Sequence, residues 1–170
     1  MNEIKIPFGL CEITYDDMKL PAMADEGVFS AIPTYTKMFG GALNDVNGYI
    51  LESYEVTFKV SVNDESYETL KLMQTLETHE DGLYDDPSNF DIEGKRLIIH
   101  PFDAVDKEFD ICIWNAYISP ETGFKRTYKK ETDEFEIVFI GTRVKNKSNP
   151  HMNNTYFFIG DWEKVGGYNA

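Results

Sequence analysis

Three histidines, two cysteines and one run of acids are the residues best equipped to do chemistry in this chain. A metal or catalytic histidine needs a second His or Cys at a spacing that brings both to one ion, and His79, His100 and His151 have no such neighbour. They read as surface or strand-end histidines. Cys11 and Cys112 lie in apolar, strand-like surroundings and are expected as buried, reduced thiols. Glu77 to Glu93 holds seven acids and no Lys or Arg. Asp81, Asp85, Asp86 and Asp91 could ligate calcium, but the glycine and the terminal glutamate of an EF-hand loop are out of place. A glycosidase pair needs two carboxyls at a fixed separation across a cleft, and the spacing marks no particular pair. Gly40-Gly41 and Gly166-Gly167 lack the rest of a phosphate-binding loop, and no Gly-x-Ser-x-Gly elbow occurs. The expectation is a protein with no catalytic residue, no cofactor and no metal.

Composition narrows the partners. With thirty acids against sixteen bases, the net charge is −14. Gripping phosphates or an anionic membrane needs a basic surface, so nucleic-acid binding and membrane attachment are not expected. A passive wall beside DNA is compatible with this charge, because it must repel the polyanion that slides past. The N-terminal residues run into a strand and not into an apolar leader, so synthesis and folding in a reducing cytoplasm are expected. A length of 170 residues suits one domain over residues 1–170 with a core of its own.

The elements are mostly strands. Ile6 to Tyr15 reads as a strand, Asp16-Asp17 as a turn, and Met18 to Leu20 as a short return. Gly27 to Phe39 is extended, and Pro33 within it implies an edge, a bulge or a bend. Gly40 to Gly48 reads as loop. Tyr49 to Val62 alternates most clearly: Ile50, Tyr54, Val56, Phe58, Val60 and Val62 on one face, Leu51, Ser53, Glu55, Thr57, Lys59 and Ser61 on the other. Asn63 or Asp64 should cap a helix over Glu65 to Thr78, with Tyr67, Leu70, Met73 and Leu76 as its apolar stripe. Further strands are expected at Lys95 to Phe102, Glu108 to Ile118 and Thr155 to Ile159. Phe124 to Lys130 and Phe135 to Val144 should form a hairpin. The sum is a mainly β fold, an antiparallel sandwich or barrel with one flanking helix.

Two features point to assembly. Met38, Phe39, Leu43 and Val46 give the expected loop more apolar surface than solvent favours, as a docking loop would have. Asp81, Asp85 and Asp86 lie in the acidic run, while Lys125, Arg126, Lys129 and Lys130 lie in a basic one. Such patches either neutralise each other within one subunit or join neighbours head to tail.

The order of features resembles the major tail (tail tube) proteins of long-tailed bacteriophages. The resemblance is carried by Phe8-Gly9-Leu10-Cys11-Glu12-Ile13-Thr14-Tyr15, by Ala31-Ile32-Pro33-Thr34-Tyr35-Thr36, and by the long strand Tyr54-Glu55-Val56-Thr57-Phe58-Lys59-Val60. The segments Glu68-Thr69-Leu70-Lys71-Leu72-Met73, Leu97-Ile98-Ile99-His100-Pro101 and Ile111-Cys112-Ile113-Trp114-Asn115-Ala116 complete it. It implies hexameric rings that stack into a β-lined tube, with self and other tail proteins as partners and double-stranded DNA only in passage. It also implies a place in the virion tail, after assembly in the host bacterial cytoplasm. The stretch Thr36 to Gly48 would reach the next ring. Tubes of contractile tails and secretion systems resemble the same fold. The competing expectation is a small-molecule-binding β-barrel whose cavity is built from the inner face of Tyr54 to Val62.

Overall fold

In the computed structural model, described over residues 9–21, 23–41, 45–63, 66–72, 76–88, 93–130, 134–145, 149 and 152–165, strands dominate. They are β1 (Cys11–Tyr15), β2 (Met18–Lys19), β3 (Met23–Gly40), β4 (Asp45–Val62), β5 (Leu76–His79) and β6 (Gly82–Asp85). After them come β7 (Lys95–Pro101), β8 (Ile111–Ile118), β9 (Phe135–Gly141), β10 (Val144–Lys145), β11 (Asn153–Thr155) and β12 (Phe157–Ile159). The main sheet is antiparallel, in the order β2-β1-β7-β8-β9-β4-β3, with β12 also on β8. Its two ends curl together, so that the Cys11 thiol meets Met23 Sδ at 3.2 Å. The mainly β, antiparallel expectation holds.

The first hairpin forms as its residues dictate. Tyr15 pairs with Met18 across a two-residue turn, and Asp16 and Asp17 take the positive φ (49° and 62°) that such a turn requires. Pro33 sits in β3 at the sheet's edge, where a missing N–H is tolerated.

One apolar core fills the curl. Val56, Phe58, Val60 and Val62 of β4 meet Ile137 and Phe139 of β9, with Ile13, Leu97, Ile113 and Ile118 from the other strands. Tyr15 spans this core and donates its hydroxyl hydrogen bond to the Ala116 carbonyl at 3.1 Å. Gly141 lies where any side chain would strike Ile113 and Val56. The other face of β8 is buried as well: Cys112 and Trp114 pack with Met152, Phe158 and Trp162. Burial pushes the Cys112 thiol up to about 12 and the Cys11 thiol up to about 11. The inner face of Val56 to Val62 is thus packed with side chains, where the ligand-barrel alternative needed a cavity.

Four expectations are corrected. The helix spans only α1 (Tyr67–Leu70), capped by Ser66, whose Oγ accepts from the Thr69 N–H; Leu76 belongs to β5, paired with Asp85. Met73 and the proposed cap Asp64 lie outside the described residues. Residues 121–130 form no strand: β8 pairs with β9 at Phe139–Gly141, and Ser119 and Thr122 take the backbone groups of Val138, where the hairpin would have to continue. The expected loop over 40–48 is largely strand, since β3 runs to Gly40 and β4 starts at Asp45. Two bulges also reassign faces. Thr34 pairs with Ser53 but Tyr35 with Leu51, so Leu51 joins the apolar face and Ile50 leaves it. A similar irregularity between β7 and β8 puts Ala116 in the main core beside Ile113.

Candidate assembly interface

β3 and β4 pair along their whole length, but β9 supports β4 only from Val56 to Val62. Beyond that point the two strands continue as a free two-stranded arm. Its first bulge leaves Glu52 as the extra residue, and a second, between Met38 and Phe39, leaves Asn47. Gly40 sits against the Asn47 side chain, with no room for a Cβ, and Gly41 takes φ +83° in the turn.

The register places Pro33, Tyr35, Lys37 and Phe39 of β3 on the same face as Tyr54, Leu51, Tyr49 and Val46 of β4. That face continues the core face of Val56 to Val62. The body residues are 0 to 1% exposed, whereas Phe39, Val46, Tyr49 and Leu51 are 57, 45, 61 and 48% exposed. Tyr35 and Tyr49 meet edge to face, 6.5 Å between centroids. At the arm's base a groove of about 410 Å³ runs between Pro33, Tyr35, Leu51 and Tyr54 on one side and Arg143, Tyr156 and Phe157 on the other. Tyr54 and Tyr156 close its end in a T-shaped contact. Isolated two-stranded hairpins are marginal in water, and contiguous exposed apolar patches mark interaction surfaces.

Of the residues singled out in the sequence, Phe39 and Val46 are register partners on this face. Met38 lies on the opposite face, across from Gly48, and Leu43 lies outside the described residues. Asp81 is in the β5–β6 turn, Asp85 ends β6, and Asp86 accepts a hydrogen bond from the Ser88 N–H at 3.1 Å. Lys125, Arg126, Lys129 and Lys130 lie in the irregular segment before β9; Lys125 borders a polar groove with Glu55, Lys59 and Glu121, and Arg126 covers the Phe124 ring. Among the described residues, Asp81, Asp85, Lys125 and Lys130 make no ion pair. Sequence reasoning missed Ile32, Tyr35, Tyr49, Ile50 and Leu51 as exposed arm residues. The signal was present: alternation runs on past the point where β9 ends. It also missed the buried Asp110 carboxylate, which is hydrogen-bonded to His100 Nδ1.

No family model and no curated relative matches the chain. Among solved structures, one similar chain belongs to the sheath–tube complex of an extracellular contractile injection system, PVC, in its extended state, determined by cryo-EM. The likeness has a TM-score of 0.53 and 12% identity, and it covers 84% of this chain and 90% of that one. The chain has a tail-tube-like fold. At this identity the likeness is one of architecture.

Proposed function

We propose that the chain is a tube subunit of a contractile-tail-like assembly, a structural protein with no catalytic role. Copies join into rings, hexameric as in the phage tail tubes that the sequence resembles, and the rings stack into a tube. In a phage the tube would conduct DNA during ejection; in an injection system it would conduct other cargo. Its partners are copies of itself and the other proteins of the tail.

One observation carries this reading: the core face of β4 runs on to an arm that, beyond its base, no described part of its own chain covers. Apolar surface left exposed in this way suits burial by another molecule. The fold shared with a chain of a sheath–tube complex supports the same reading. So does the net charge of −14, which suits a wall that must not hold a polyanion.

Negative-stain microscopy of the concentrated protein, with mass by light scattering, tests it. Rings or tubes with a central channel are expected. A chain that stays monomeric at high concentration, even with tail proteins added to start assembly, would overturn the proposal. Deleting residues 38–46 should leave a folded subunit that no longer stacks.

A further inference from the structure

We infer that Asn47, on the arm, is a site of spontaneous covalent modification, where the chain converts asparagine to isoaspartate through a cyclic imide formed with Gly48. The inference stands on the arm's own geometry and holds whatever the arm binds. Asn47 is the one asparagine of the chain that is followed by glycine. Ring closure needs an open approach to the next backbone nitrogen, and a glycine has no side chain to shield it. Closure also needs a carboxamide that is free to turn. The Asn115 amide is held by Thr142 Oγ1. Asn149 donates its amide to the Val165 carbonyl at 2.8 Å and precedes a proline, whose nitrogen has no hydrogen to give up. The Asn47 side chain is exposed and makes no hydrogen bond among the described residues.

The fold also relaxes the restraint that a strand imposes. A paired strand residue closes such a ring slowly, because the ladder fixes its backbone. Asn47 is the extra residue of the second bulge: Met38 pairs with Gly48 and Phe39 with Val46, so Asn47 has no partner across the arm. Beyond Val56, β9 no longer supports β4, and a two-stranded pair opens at little cost. In the first step the Gly48 nitrogen bonds to Asn47 Cγ and the Cγ–Nδ2 bond breaks. Ammonia leaves, carrying the proton that the Gly48 nitrogen gives up. Water then opens the five-membered ring. Attack at Cγ yields aspartate; attack at the former main-chain carbonyl yields isoaspartate, whose backbone runs through Cβ and Cγ. Nothing is oxidised or reduced. Isoaspartate adds a methylene to the main chain and a negative charge to the strand that carries Asp45, at the bulge that sets the face of Val46.

Ageing the full chain at mildly alkaline pH tests this, with peptide mass spectrometry and isoaspartate methyltransferase labelling as readouts. The peptide holding residue 47 should gain the mass difference between NH2 and OH before any other asparagine does, and it should accept the methyl label. The rate should rise with pH, because the attacking nitrogen must shed its proton. It should be no more than about tenfold slower than in a free peptide of residues 45–49, since the arm opens at little cost. Gly48→Ala should lose the gain over the same period. Its new methyl meets only the Met38 side-chain end, at 3.2 Å, so the variant should fold with an unchanged thermal melt. An Asn47 that keeps its mass while the free peptide reacts would overturn the proposal. So would a gain that appears first at another asparagine, or a Gly48→Ala variant that reacts as fast as the unaltered chain.

Discussion

The two ends of the β3–β4 hairpin carry the same kind of face and meet opposite fates. At the body end, Val56, Phe58, Val60 and Val62 are sealed against β9. At the arm end, Tyr35, Phe39, Val46, Tyr49 and Leu51 stand in solvent. The alternation along β4 says which side must be covered. It is silent on whether the cover comes from the same chain.

Substitutions at the two ends should separate stability from assembly. Phe58→Ala is expected to cost about 3–5 kcal/mol of folding stability, because it opens a cavity where nothing can collapse. Phe39→Ala should stay within about 0.5 kcal/mol in the same urea titration, yet block tube growth in the microscope. Equal losses in the two variants would break the comparison.

Thiol chemistry sharpens it. At pH 8, Cys112, held near 12, should react with iodoacetamide roughly a thousandfold more slowly than an ordinary exposed thiol. A cysteine placed on the arm by Val46→Cys should react at the ordinary rate in the free subunit and become protected in the tube. The same burial has a pH consequence. The folded thiols stay protonated above the ordinary thiol value of 9.0, so their stabilising effect is complete below about pH 9 and fades toward pH 12. Melts between those limits should show falling stability, and Cys112→Ala should reduce the slope.

His100→Ala would strip the buried Asp110 of its side-chain hydrogen-bond partner and should cost about 3 kcal/mol, read from thermal melts. Tyr49→Ala should have a smaller effect than His100→Ala, about 0.5–1 kcal/mol for the lost edge-to-face contact with Tyr35.

Local patterns in the sequence survive folding wherever their pairing is also local. The Asp16-Asp17 turn and the alternation from Tyr54 to Val62 read through unchanged. The failures have non-local causes. Phe124 to Lys130 has the pattern of a strand, but β8 and the Ser119–Thr122 turn already hold β9 from Val138 onward. Leu76 keeps helical spacing with Tyr67 and Leu70, yet a partner in β6 claims it for a hairpin. The extra residues Glu52 and Asn47 shift the register without any mark in composition; the first decides which face Leu51 and Ile50 occupy, the second the face of Val46. The apolar surplus of the arm was legible through Phe39 and Val46, whereas Met38 falls on the other face. That the stretch stands out as a paired arm depends on where β9 stops, which no residue in the arm encodes.

Pro33 bears on aggregation. An edge strand of 18 residues is a long template on which identical chains could stack into cross-β fibres. A pyrrolidine ring near its middle has no hydrogen to donate, so no ladder of backbone bonds runs the full length of that edge. A foreign strand can zip along one side of the ring or the other, in short stretches that come apart easily. The residue thus acts as a fuse against amyloid growth along that edge.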